Sequence, residues 1–196
     1  MGDRAMRGLG RRQFLIGTAL SSVALASGPM AWSQQSVAAA MEPQTLSGSD
    51  IYLTIGHGQI TIDGRTGHAV TINGSVPGPT LRLKEGQTVR LHITNTLEED
   101  TSIHWHGLLV PFEMDGVPGV SFPGIRAGAS VTYEVPVRQS GTYWYHSHSG
   151  LQEQEGQYGP IVIDPAGHDP IAYDREHVIV LSDFSFLHPH TIFARL

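Results

Sequence analysis

From Ile51 to Asp164 the chain alternates apolar and polar residues in short runs, each ended by a turn containing Gly, Pro, Asn or Asp. This patterning limits the fold more than any other feature. A period of two places successive side chains on opposite faces of a strand, and runs this short cannot make amphipathic helices. Thr88–Asn95 is the clearest case: Val89, Leu91 and Ile93 face one way, and Arg90, His92 and Thr94 the other. It reads as a half-buried antiparallel strand. Further strands are expected at Ile51–Ile55, Gln59–Asp63, His68–Ile72, Thr80–Lys84, Ser102–Gly107, Ser130–Val137, Gly141–His148 and Gly159–Asp164. Gly56-His57-Gly58 is expected to break the first two apart. Pro111–Gly128 reads as a long loop, and His177–Leu181 as a last strand. The 23 Gly, 12 Pro and 15 % charged residues fit such a turn-rich chain, and no internal repeat is visible. The expected fold is an all-β, two-sheet Greek-key sandwich.

The first forty residues read as an address. Arg11-Arg12-Gln13-Phe14-Leu15-Ile16 is a twin-arginine pattern, followed by an uncharged run to about Ala26 and small residues around Ala31-Trp32-Ser33. The run is too short and too rich in Gly and Ser to span a membrane. Residues 1–33 are therefore expected to be a Tat-type export signal, with an alternative cleavage at Ala38-Ala39-Ala40. Residues 34–48 would be a linker, 49–166 the folded domain and 167–196 a truncated linker or the start of another domain. Localisation would be periplasmic, with no membrane span once the signal is removed.

Composition excludes several functions. With 12 basic against 18 acidic residues the formal charge is −6. Losing four arginines and one aspartate with residues 1–33 leaves 8 against 17, a charge of −9. Lys84 is the single lysine. So little positive charge argues against a nucleic-acid partner. The chain has no cysteine, which rules out disulfides, thiol nucleophiles, thiolate zinc sites and copper sites that need a thiolate.

Histidine carries the chemistry. In a strand, residues i and i+2 share a face, so His104 and His106 in Ser102-Ile103-His104-Trp105-His106-Gly107 point together. His146 and His148 do the same in Tyr143-Trp144-Tyr145-His146-Ser147-His148-Ser149-Gly150. Two imidazole pairs without thiolate or carboxylate suit copper or zinc, and neutral imidazole is available near pH 7. His57, His68, His92, His168 and His177 are isolated and read as ordinary histidines. His188-Pro189-His190 has the spacing, but proline breaks the strand alternation.

These two motifs resemble the N-terminal cupredoxin domain of the multicopper oxidase, laccase-like family. Val76-Pro77-Gly78-Pro79-Thr80, Asp115-Gly116-Val117-Pro118-Gly119, Gln139-Ser140-Gly141-Thr142-Tyr143 and Tyr158-Gly159-Pro160-Ile161-Val162-Ile163 agree with it. The twin-arginine signal, Glu113-Met114-Asp115-Gly116, Leu151-Gln152-Glu153-Gln154 and Leu181-Ser182-Asp183 resemble its periplasmic copper-resistance branch. The resemblance implies a cupredoxin fold, copper as cofactor, and O₂ reduced to water in the intact enzyme. It implies that His104 binds the type 2 copper and that His106, His146 and His148 bind the type 3 pair. Asp115 would then be a proton relay, although an aspartate before Gly116 also suits a plain turn.

The family completes its cluster with four histidines from a C-terminal cupredoxin domain and admits electrons through a type 1 copper held by cysteine. Neither the cysteine nor the corresponding His-Cys-His and His-x-x-His-x-His segments occur here. The implied function is the copper-binding N-terminal domain of a multicopper oxidase acting on Cu(I) or phenol-like donors. It would carry half of the trinuclear site and be inactive alone. A stand-alone periplasmic copper-sequestering protein is the alternative. Trp105, Trp144 and Tyr145 read as packing residues and Glu98-Glu99-Asp100 as a solvated turn; Glu153 and Glu155 could attract Cu²⁺ but read first as a plain exposed loop.

Overall fold

The computed structural model describes residues 44–169 and 171–196. The export signal, its alternative cleavage site and most of the expected linker lie outside the described residues. Nine strands follow in chain order: β1 (Thr45–Leu46), β2 (Asp50–Ile62), β3 (Arg65–Ile72), β4 (Thr80–Lys84), β5 (Thr88–Asn95), β6 (His104–His106), β7 (Ser130–Pro136), β8 (Gly141–His146) and β9 (Tyr158–Asp164). One sheet has the order β1-β4-β9-β8-β6 and the other β3-β2-β5-β7. The domain is all-β, as expected. Among the described residues no helix is long and apolar enough to cross a membrane.

The alternation read from β5 is realised in full. Val89, Leu91 and Ile93 are buried, together with Leu53 and Ile55 of β2, Tyr133 and Val135 of β7, and Leu81, Trp105, Tyr145 and Ile161 of the facing sheet. These side chains form one core, and their removal from water is the main stabilising term. The strand is antiparallel to β7 but parallel to β2, and in the facing sheet β9 is parallel to β4 but antiparallel to β8, so both sheets are mixed.

Three expectations are corrected. Gly56-His57-Gly58 does not interrupt β2, which runs unbroken against β3 from Ile55↔Ile72 to Ile62↔Arg65. These glycines make room instead: a Cβ on Gly56 would lie 2.6 Å from Thr96 Oγ1, and one on Gly58 2.5 Å from Thr71 Cγ2. Within the stretch expected to be linker, Thr45 and Leu46 pair in parallel with Thr80 and Leu81. His177–Leu181 is apolar enough for a strand but has no ladder partner, and Ile179 and Leu181 are largely exposed. Side chains hold this segment in place of a backbone ladder. Arg82 forks onto Asp164 (2.9 and 2.6 Å) and also reaches Glu176, and Tyr158 Oη lies 2.6 Å from Ser182 Oγ. A short helix, α1 (Pro189–Phe193), follows.

Candidate metal centre

Strand β6 lies at the edge of its sheet and pairs antiparallel with β8, with His104 opposite His146, Trp105 opposite Tyr145 and His106 opposite Trp144. The pleat sends Trp105 and Tyr145 into the core and the histidines to the other side. Tyr145 is anchored by its hydroxyl, which donates to the Pro79 carbonyl at 2.7 Å. The ladder thus joins two histidine pairs about forty residues apart in sequence. Ring centroids of His104 lie 5.5, 5.6 and 4.8 Å from those of His106, His146 and His148. Those of His146 lie 5.4 Å from His106 and 4.9 Å from His148. One ligand-type atom from each of His104, His146 and His148 falls within 4.8 Å of the others.

The outer ring nitrogens of His104 and His146 each have acceptor partners. His104 Nδ1 donates to the Asp115 carbonyl at 2.8 Å and lies 3.4 Å from the Asp115 carboxylate. This contact depends on Gly116. Its φ is +78°, and a Cβ there would lie 1.8 Å from the Ile103 carbonyl oxygen, so only glycine lets the loop close against β6. His146 Nδ1 faces the Ser147 carbonyl at 3.1 Å and the Glu153 carboxylate at 2.6 Å. Both are acceptors only, so Nδ1 carries the proton and Nε2 keeps its lone pair. His146 Nε2 in turn lies 3.1 Å from His106 Nδ1. That separation is hydrogen-bond distance, with Nε2 as the acceptor because Nδ1 of His146 carries its proton.

His148 sits just beyond β8, and its position comes from a buried polar network. Its backbone N–H donates to Ser102 Oγ at 3.0 Å. Ser147 Oγ donates to Gln152 Oε1 at 2.9 Å, which also accepts from Thr101 Oγ1 at 2.7 Å. Gln152 Nε2 donates to Glu99 Oε1 and the Asp100 carbonyl, and Gln157 Nε2 to the Ser102 carbonyl. A fully bonded network of this kind rigidifies the loop that carries the histidine. Glu99 and Asp100 thereby belong to the scaffold of the site and are more than a solvated turn.

Burial holds the His146 imidazole below the ordinary histidine range, against the opposing pull of the Glu153 carboxylate. His148 is lowered too, first by burial and then by the neighbouring His104. Both rings are neutral at neutral pH, the form that coordinates a metal. The donor set is imidazole, with the outer nitrogens of His104 and His146 bonded to acceptors, and this fits copper.

The structure brings His104, His106, His146 and His148 together, with Asp115 beside His104. The other histidines lie elsewhere: His57 pairs with Glu98 at 3.0 Å, and His92 contacts Thr132 Oγ1 and Asp50. Two contributors were not legible in the sequence. Trp144 stacks on His146 at 3.9 Å between centroids, and Glu153, on an exposed turn as expected, also meets the same ring. The one signal in the sequence is the i, i+2 spacing of Trp144 and His146, which puts both on the face opposite Tyr145.

A family model described as multicopper oxidase matches residues 54–168. The chain belongs to the multicopper oxidase family. Copper resistance protein A of Escherichia coli is 50 % identical over 186 residues, covering 95 % of this chain and 31 % of that protein. Copper resistance protein A of Pseudomonas syringae pv. tomato is 47 % identical over 188 residues, covering 95 % of this chain and 30 % of its own length. Among solved structures, a multi-copper oxidase from Pseudomonas thermotolerans aligns with a TM-score of 0.60 at 32 % identity, over 65 % of this chain and 32 % of that one. The laccase from Botrytis aclada aligns with a TM-score of 0.57 at 42 % identity, over 63 % and 23 %. The fold is therefore the cupredoxin fold of multicopper oxidases, and copper is the family's cofactor. The chain spans about a third of the length of the curated relatives it matches.

Proposed function

We propose that this multicopper oxidase domain supplies half of a trinuclear copper site, with His104 as the type 2 ligand and His106, His146 and His148 as the type 3 ligands. The observation that carries the reading is the convergence of the four rings across the β6–β8 ladder, with the outer nitrogens of His104 and His146 bonded to acceptors. Bound copper would supply electron transfer to O₂, which becomes water on gaining four electrons and four protons. The chain's own residues hold and orient the ligands, and Asp115, 32 % exposed beside His104, passes protons inward from solvent. The oxidised donor would be Cu(I) or a phenol-like molecule, in keeping with a role in periplasmic copper resistance after Tat export.

The remaining ligands would come from a C-terminal cupredoxin domain. Beside the histidines, the loop after β6 exposes Leu109 and Phe112, an apolar rim suited to such a partner. A type 1 copper needs a thiolate, and these 196 residues contain none. The chain alone is therefore expected to bind copper without intense blue absorption and without turnover. Copper titration of the purified chain, followed by electron paramagnetic resonance and oxygen uptake, tests this. Imidazole-ligated copper with no oxygen uptake supports the half-site reading, and oxidase turnover by the pure chain overturns it. Copper binding that His104→Ala and His148→Ala leave unchanged would remove the site altogether.

A further inference from the structure

We propose that Glu153 is a positioning residue for the copper ligand His146, holding the proton on Nδ1 so that Nε2 faces the metal; this rests on the copper-site reading above. His146 is 5 % exposed, and its ring is clamped on one face by Trp144 at 3.9 Å and an interplanar angle of 11°. The ring plane is thus set, and what remains open is which nitrogen carries the proton. Glu153 Oε2 lies 2.6 Å from Nδ1, whereas the Ser147 carbonyl lies 3.1 Å away. The shorter, charge-assisted bond dominates. Among the described residues His146 is the one basic side chain within ion-pair distance of this carboxylate.

The backbone brings Glu153 to this place. Gln152, next to it, is locked by four side-chain hydrogen bonds, accepting from Thr101 and Ser147 and donating to Glu99 and Asp100. The Glu153 carbonyl accepts from the Gly156 N–H at 3.0 Å, closing the turn. The other side of the carboxylate opens on a cavity of about 150 Å³ lined also by Trp144, Tyr158 and Asp183. Glu153 is 47 % exposed there, so water solvates the charge while one oxygen stays committed to His146. A carboxylate on the outer nitrogen of a ligating histidine fixes the tautomer and strengthens the ligand, and losing such a partner typically costs ten- to a hundredfold in metal affinity.

Glu153→Gln keeps the shape and removes the charge. Long-range ¹H–¹⁵N spectra of the histidine-labelled, metal-free chain read the tautomer of each ring. The expected result is an Nδ1–H tautomer for His146 in the parent chain and a mixed tautomer in Glu153→Gln, with Glu153→Asp nearer the parent. Competition with a chelator should show Cu²⁺ affinity about tenfold to a hundredfold weaker in Glu153→Gln, and unchanged in Gln154→Ala. An unaltered His146 tautomer and unaltered Cu²⁺ affinity in Glu153→Gln would overturn the proposal. The two readings fail separately. If His146→Ala binds Cu²⁺ as the parent does, the copper-site reading fails, whereas the tautomer spectra judge the Glu153 contact without any metal.

Discussion

His146 and His148 leave strand β8 with the same i, i+2 spacing that His188 and His190 have at α1, yet the two pairs use their ring nitrogens in opposite ways. At β8 the outer nitrogen of His146 donates its proton to acceptors and leaves the Nε2 lone pair facing the other histidines, 3.1 Å from His106 Nδ1. At α1 the Nδ1 of His188 accepts the backbone N–H of His190 at 3.3 Å, capping the helix that Pro189 begins. Its Nε2 is left facing Glu155 at 3.5 Å. The imidazoles stack at 5.4 Å in the second pair and sit 4.9 Å apart in the first, so proximity alone does not separate them. The separating property is what the surroundings ask of Nδ1: an acceptor prepares a metal ligand, and a donor consumes the lone pair.

The contrast breaks most severely at Gly116, which lets the Asp115 carbonyl reach His104. Gly116→Ala would force a Cβ to 1.8 Å from the Ile103 carbonyl oxygen at a φ of +78°. The expected loss is about 3 kcal/mol or more, read as a lower urea midpoint, and copper binding should weaken with it. A midpoint equal to that of the parent would mean the loop does not hold His104 as described. Next in size, His148→Ala should weaken Cu²⁺ binding by at least about tenfold, or ~1.4 kcal/mol. His190→Ala should leave it unchanged, and equal losses in both variants would erase the distinction between the two pairs.

A smaller effect follows from protonation. Because His146 and His148 are lowered in the folded chain, the unfolded chain binds protons at these positions first as pH falls below about 6.5. Above that pH both states are neutral there and neither residue contributes. Metal-free stability should therefore decline between about pH 7 and pH 5, and His148→Gln should flatten the decline. Urea midpoints across that range check the slope, and a steeper slope in His148→Gln would contradict the sign. The smallest change is expected at the capping pair. His188→Ala should cost about 0.5 kcal/mol, visible as faster amide exchange in α1 with copper affinity intact.

Much of this was legible along the chain. The pairing of His104 with His106 follows from the period-two pleat, a local property of any extended backbone, whereas β8 ends at His146 and His148 is placed by the network around Ser102 and Gln152. The buried and exposed faces of Thr88–Asn95 follow from the pleat as well. The apolar run at His177–Leu181 misled, because a strand needs a neighbour as well as a propensity. Gly56 and Gly58 read as a break because sequence shows that glycine lacks a side chain but not what occupies the space it leaves.

The sequence by itself determined the candidate donor type, the two histidine motifs, the absence of any thiolate and the all-β class. These depend on composition and on periodicities spanning a few residues. Only the tertiary structure decided that β6 would pair with β8, that the Asp115 carbonyl and the Glu153 carboxylate would meet the outer nitrogens, and that Trp144 would cover His146. Each is a contact between segments placed by the sheet ladder or by buried side chains such as Gln152. A ring's tautomer depends on which group lies within about 3 Å of each nitrogen, and distances of that kind are properties of the folded chain.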